Sequence, residues 1–246
     1  MDRRCFEKIV VGLLFWGSCF PVFARCPLAD KYHQENKPEM EMMALNVCAV
    51  SYNDDISQMK LAEGYIKGEN GLVQDEKQAL FMYQLAAENG NAEAQVKLAE
   101  LLQTFDTSSE RRKELKTYQG KLEKNNKDPN AFSGEIMHPY TLLLLASERP
   151  ENKWYYPSKT RSAPARTQVL LQNYKITPEK RQAAMKDASR WKTRKLLEMA
   201  REILTDDEYT DFEKRLRNNA TRTEAMVELK DRMTGYVDKK QKERSR

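Results

Sequence analysis

The residues that could do covalent or metal chemistry are few: four cysteines, two histidines and many carboxylates. A zinc site needs three or four His, Cys or acidic ligands at short spacing, and a thiol nucleophile needs a base within reach. His33 lies in a polar N-terminal stretch and His138 precedes a proline. Neither sits at zinc spacing, and only His33 is near Cys26 and Cys48. No phosphate-cradling glycine loop, no G-x-S-x-G turn and no H-E-x-x-H pair occurs. The stretch "GENG" at 68–71 resembles a phosphate loop only in composition, because no Lys-Thr follows it. Carboxylates such as Glu63 and Glu100 could form an acid–base pair, but on a charged helical surface such groups are usually solvated. These observations give a chain read as a non-enzyme, with no cofactor and no metal.

The cysteines carry a different message. The opening "MDRRCFEKIVVGLLFWGSCFPVFARC" begins with Arg3, Arg4 and Lys8, then runs apolar from Ile9 to Phe20. That run is short for a membrane span, and Val22-Phe23-Ala24 suits a leader peptidase, so residues 1–24 are read as a signal peptide cleaved after Ala24. An uncleaved anchor is the alternative. Trp16 and Arg25 sit where a lipoprotein box would want small residues. Cleavage removes Cys5 and Cys19 and leaves Cys26 and Cys48. In an exported chain that even pair is read as one disulfide. No transmembrane helix is expected after cleavage.

The elements that would have to position any site are helical. The composition is 40% hydrophobic and 32% charged with nine glycines, and no stretch alternates β-branched residues. Residues 57–65, "SQMKLAEGY", and 94–102, "AQVKLAELL", coincide at five of nine positions, 37 residues apart. A period in that range marks stacked helical hairpins. The intervening unit reads as a helix from about Ser57 to Lys67 with Met59, Leu61, Ala62 and Tyr65 inward. Gly68 ends it, and Asp75 caps a second helix that runs to Asn89, with Ala79, Leu80, Tyr83, Ala86 and Ala87 inward. Asn89-Gly90 then reverses the chain.

On these residues the chain resembles the Sel-like repeat family, a branch of the tetratricopeptide-like α-hairpin repeats. The family pattern appears here as Ser57-Gln58, Leu61-Ala62, Tyr65, Gly68, Gly71-Leu72, Asp75, Ala79, Met82-Tyr83, Ala86-Ala87, Gly90 and Ala94-Gln95. It departs at Ala62, Leu72 and Met82, and by one extra loop residue near Asn70. The resemblance covers residues 57–102 and does not reach the C-terminal half. Upstream, "PEMEMMALNVCAVSYND" reads as the second helix of a preceding unit, turning at Asn53-Asp54. Downstream, Thr107 with Glu110 forms a capping box, opening a helix with Leu115, Tyr118 and Leu122 inward. The expected fold is therefore all-α: a short hairpin array over 25–126, then a C-terminal helical region.

Residues 127–163 are irregular and proline-rich, interrupted by one apolar helix, "PYTLLLLASE". Toward their end, in "ENKWYYPSKTRSAPARTQ" (151–168), Trp154, Tyr155 and Tyr156 stand among Lys153, Lys159, Arg161 and Arg166. Such a loop could stack on an anionic partner, or its rings could plug the core. Over 164–238 the expected helices start at Thr177-Pro178-Glu179, at the Thr205/Glu208 capping box and near Thr221. Ala184, Ala188, Trp191, Leu196, Met199, Ala200 and Ile203 form a buried stripe, and Lys186, Arg190 and Arg194 a cationic ridge. Residues 239–246, "KKQKERSR", read as a disordered basic tail.

Charge is sorted along the chain. Residues 25–148 carry net −6 and residues 149–201 net +10. The Sel-like resemblance, with the leader, implies a bacterial envelope protein, periplasmic or secreted, that binds another protein. In similar exported proteins the repeats help in assembly, host contact or toxin neutralisation, which makes an adaptor or an immunity protein the expected role. Lys60, Glu63, Lys67, Lys97 and Glu100 would line the groove. The alternative is that 149–201 binds anionic lipid heads or polysaccharide, or that it packs on the acidic half. Export argues against nucleic acid as the partner.

Overall fold

The computed structural model describes residues 26–106, 113, 117, 136–148, 164–218 and 220–244. Among them are ten helices and no strand, as the all-α expectation required. The leader, the Thr107/Glu110 capping box with most of its helix, and Trp154 and Tyr155 lie outside the described residues.

Five helices come first: α1 Pro27–Gln34, α2 Pro38–Ser51, α3 Asp55–Lys67, α4 Glu76–Glu88 and α5 Ala92–Asp106, each packed on the next. Their ends follow local chemistry. Asp54 caps α3 by accepting from Ser57 N at 2.9 Å, which starts the helix two residues before Ser57. Gly68 closes α3 in the left-handed region (φ 68°). Asp75 accepts from Lys77 N and Gln78 N and opens α4. At one end of the α3–α4 pair Asp75 N donates to Tyr65 O, and at the other Asn89 Nδ2 donates to Gln58 Oε1, so the two helices are antiparallel. The small residues Ala62, Ala79, Ala86, Ala87, Ala94 and Ala99 are all fully buried, which lets the helices approach closely around Leu45, Leu61, Leu80 and Leu98.

The second half hangs on α6, Pro139–Ala146, which packs on α5. His138 caps it, its Nδ1 accepting from Tyr140 N. This helix is apolar on all sides, and that explains its place. Leu142 and Leu143 belong to the core of the first five helices, while Leu145 belongs to a second core with Trp191, Leu196, Phe212, Leu216 and Leu229. Helices α7, Pro164–Asn173, and α8, Pro178–Ile203, both pack on α6. Helix α9, Asp206–Arg217, packs on α8, and α10, Arg222–Arg244, packs on both. Thr177 caps α8, and Glu208 accepts from Thr205 N and Oγ1 at the start of α9.

Two features differ from the sequence reading. Residues 27–34, read as a polar segment, form α1. The helix is short, but Pro27 stands in its first turn and it is held to α2 through Cys26 and buried Ala29. Helix α10 continues to Arg244, through most of the expected disordered tail. After Gly235 the chain offers Lys, Gln, Glu and Arg, all good helix formers, and no breaker.

Candidate functional site

The sulfurs of Cys26 and Cys48 lie at bonding distance, with Cα atoms 6.0 Å apart. The bond fastens the first residue before α1 to the inner side of α2. Beside it, His33 Nδ1 lies 2.9 Å from buried Glu41, and Lys60 Nζ lies 3.7 Å from the same carboxyl group. Among the described residues no group of three or more His, Cys, Asp or Glu is arranged to hold a metal. No described helix is long and apolar enough to cross a membrane.

The residues expected to line a groove fall into two groups. On α3, Lys60, Glu63 and Lys67 are exposed, and Lys67 meets Glu69 at 3.6 Å. On α5, Lys97 and Glu100 are half-buried. The reason for Glu100 is a contact the sequence did not announce. Arg166 of α7 reaches across to Glu100 at 2.5 Å and Glu93 at 3.4 Å. Buried Tyr83 of α4 lies within electrostatic reach of these carboxylates. Burial pushes its hydroxyl pKa up, and the nearby charges of Glu63, Glu93 and Glu100 push it further in the same direction. Glu63 and Glu100 thus both act on Tyr83, and the chain's own arginine is seated on Glu93 and Glu100.

The expected cationic ridge divides in the same way. Lys186 and Arg190 are exposed on α8, and Arg190 lies 3.4 Å from Asp187. They border a groove of about 650 Å³ with Leu197, Arg201 and Tyr209. The Arg201 guanidinium stacks 4.8 Å from the Tyr209 ring centroid. Arg194, in contrast, turns inward to Glu88 at 2.6 Å.

Glu88 is the residue that sequence reasoning missed. It is only 7% exposed, and it also accepts from Trp191 Nε1 at 3.0 Å and lies 3.9 Å from Lys195 Nζ. One carboxylate on α4 thus holds Trp191 and Arg194 of α8, more than 100 residues away. Lys192 is paired with Glu148, and burial pulls its ammonium pKa down. The only sequence signal for Glu88 is an acid directly after the Ala86-Ala87 pair, which any helix end could carry.

These contacts define a helical protein whose acidic first half and basic second half are fastened to each other by specific ion pairs. Set against protein-family models, curated proteins and solved structures, the chain matches none.

Proposed function

We propose that this chain is a non-enzymatic binding protein of the bacterial cell envelope, exported with its disulfide formed, and that α2–α5 are Sel-like hairpin repeats used as a protein-interaction surface. Two joints support the repeat reading. At the α2–α3 turn Gln58 Nε2 donates to Ala49 O, Asp54 accepts from Ser57 N and Asn53 is left-handed (φ 51°). At the α4–α5 turn Gln95 Nε2 donates to Ala87 O, Asn91 accepts from Ala94 N and Gly90 is left-handed (φ 78°). The same hydrogen bonds thus recur at a spacing of 37 to 38 residues, the period of the sequence repeat.

The observation that carries the binding role is Arg166. Through it the face bearing Glu93 and Glu100 accepts a side chain from elsewhere, while Glu63, the repeat equivalent of Glu100 on α3, is exposed. An adaptor would meet its partner there, and an immunity protein against an envelope-directed toxin is the narrower form. The test is capture from an envelope extract by the wild-type chain and by a variant with Lys60, Glu63 and Lys97 reversed in charge. Loss of a specific captured protein supports the reading. No captured protein, or the same one captured equally by the variant, opposes it.

Binding of anionic lipid or polysaccharide by residues 149–201 is less well supported. Arg166, Lys192, Arg194 and Lys195 meet carboxylates of the first half, which favours the pairing of the two halves. Elution from anionic lipid or heparin later than a carrier of matched charge would revive it.

A further inference from the structure

Helix α2 is apolar on both sides. Its inner face buries Met42, Ala44, Leu45, Cys48 and Ala49. Its outer face carries Met40, Met43, Val47 and Val50, which are 41%, 66%, 55% and 64% exposed. A helix that is hydrophobic all round is ordinarily covered on all sides, and the terminal unit of a helical stack ordinarily turns a polar face outward. Here the terminal face is an apolar seam with steps of three, four and three residues, the spacing of a two-stranded helical pairing. Cys48, to which Cys26 is bonded, belongs to the buried face of the helix and not to the seam.

The seam has a symmetry of its own. Rotation about a two-fold axis beside Leu45 places Met40 against Val50 of a second copy and Met43 against Val47. Each contact then pairs a long, adaptable side chain with a short branched one. Charges do not oppose this. In that register exposed Glu39 faces Ser51 and Lys37 faces Asn53, so no like charges meet. We propose that the outer face of α2 is a homodimerisation surface, joining two copies of this chain through an antiparallel α2–α2 pair. Each copy contributes a patch of a few hundred Å². Two such patches together fall below the roughly 1,200 Å² total of stable interfaces, so the dimer is weak and depends on concentration. The proposal does not rest on the partner-binding role of α3, because the two surfaces carry different residues.

The test is sedimentation equilibrium of the full chain after export and oxidation, over roughly 1 to 300 µM. Wild-type protein is expected to pass from monomer to dimer in that range. Met43→Glu and Val47→Lys, both on exposed positions, should each weaken the dimer about a hundred-fold while leaving the helical content and melting of the dilute monomer unchanged. The double variant sets opposite charges against each other across the two-fold axis, and should recover to within about ten-fold of wild type. A parallel pair would instead set like against like, and the double variant would dissociate further. Wild-type protein that stays monomeric throughout, single variants that dimerise as wild type does, or a double variant weaker than both singles would each overturn the proposal. Capture of a partner through Lys60 and Glu63 would be untouched by any of those results.

Discussion

Removing the Glu88 carboxylate tests whether the two halves form one cooperative unit. The bond from Trp191 Nε1 is buried and charge-assisted, a type that contributes about 1.5–3 kcal/mol. Arg194 adds less, because its side chain is 38% exposed and also reaches Glu198, so its share is about 0.2–1 kcal/mol. Lys195 is buried but closer to Glu198 than to Glu88, and it contributes little to Glu88 itself. Glu88→Ala should therefore cost about 2–4 kcal/mol, in keeping with the breaking of a buried pair. Glu88→Gln should cost roughly half of that, since an amide oxygen still accepts from the indole. Urea unfolding followed by far-ultraviolet circular dichroism measures both. Trp191→Phe completes a double-mutant cycle, in which the coupling to Glu88→Ala should be about 1 kcal/mol or more. If Glu88 is the fastener, its loss should also split the transition or lower its slope. A cost below about 0.5 kcal/mol, or strict additivity with Trp191→Phe, would refute the reasoning.

Three further outcomes are expected. The Glu208 carboxyl is held at about 2 by its hydrogen bond to the Thr205 backbone and by Arg232, below the ordinary 4.5. A depressed folded pKa gives stability that is present above 4.5 and lost as pH falls toward 2, so the gap between wild type and Glu208→Gln should close over that window; a gap independent of pH would refute the assignment. Mass spectrometry of exported protein should find Cys26 linked to Cys48, and Cys26→Ser with Cys48→Ser should cost about 3 kcal/mol for a closed loop of this length. Free thiols in the exported protein would count against the oxidised form. Both polar atoms of the buried Gln84 amide lack a hydrogen-bond partner among the described residues, so Gln84→Met should raise stability by about 1 kcal/mol. A loss in the same urea assay would mean that an ordered water serves the amide.

Much of the helical framework was legible because its signals are local. Asp75, Thr177 and the Thr205/Glu208 pair each satisfy backbone groups within one turn, and Gly68 supplies the left-handed backbone that ends a helix, so their neighbours in sequence suffice to place them. Alanine-rich stripes and the 37-residue echo pointed to close helix pairs for the same reason: periodicity is written in consecutive turns. The cysteine pairing followed from the count of cysteines left after the expected leader.

Only the tertiary structure decided which charges meet. Glu88 with Trp191 and Arg194, and Glu100 with Arg166, are separated by 103, 106 and 66 residues, and nothing in either partner's local sequence names the other. Likewise, Met43 and Val47 look like core residues in the sequence, as Leu45 does, because hydrophobicity says that a side chain seeks cover and not what covers it. Burial is a property of the neighbouring element. That is why the ridge Lys186, Arg190 and Arg194, uniform in sequence, becomes two solvent-facing cations and one fastener once α8 meets Glu88 at the end of α4.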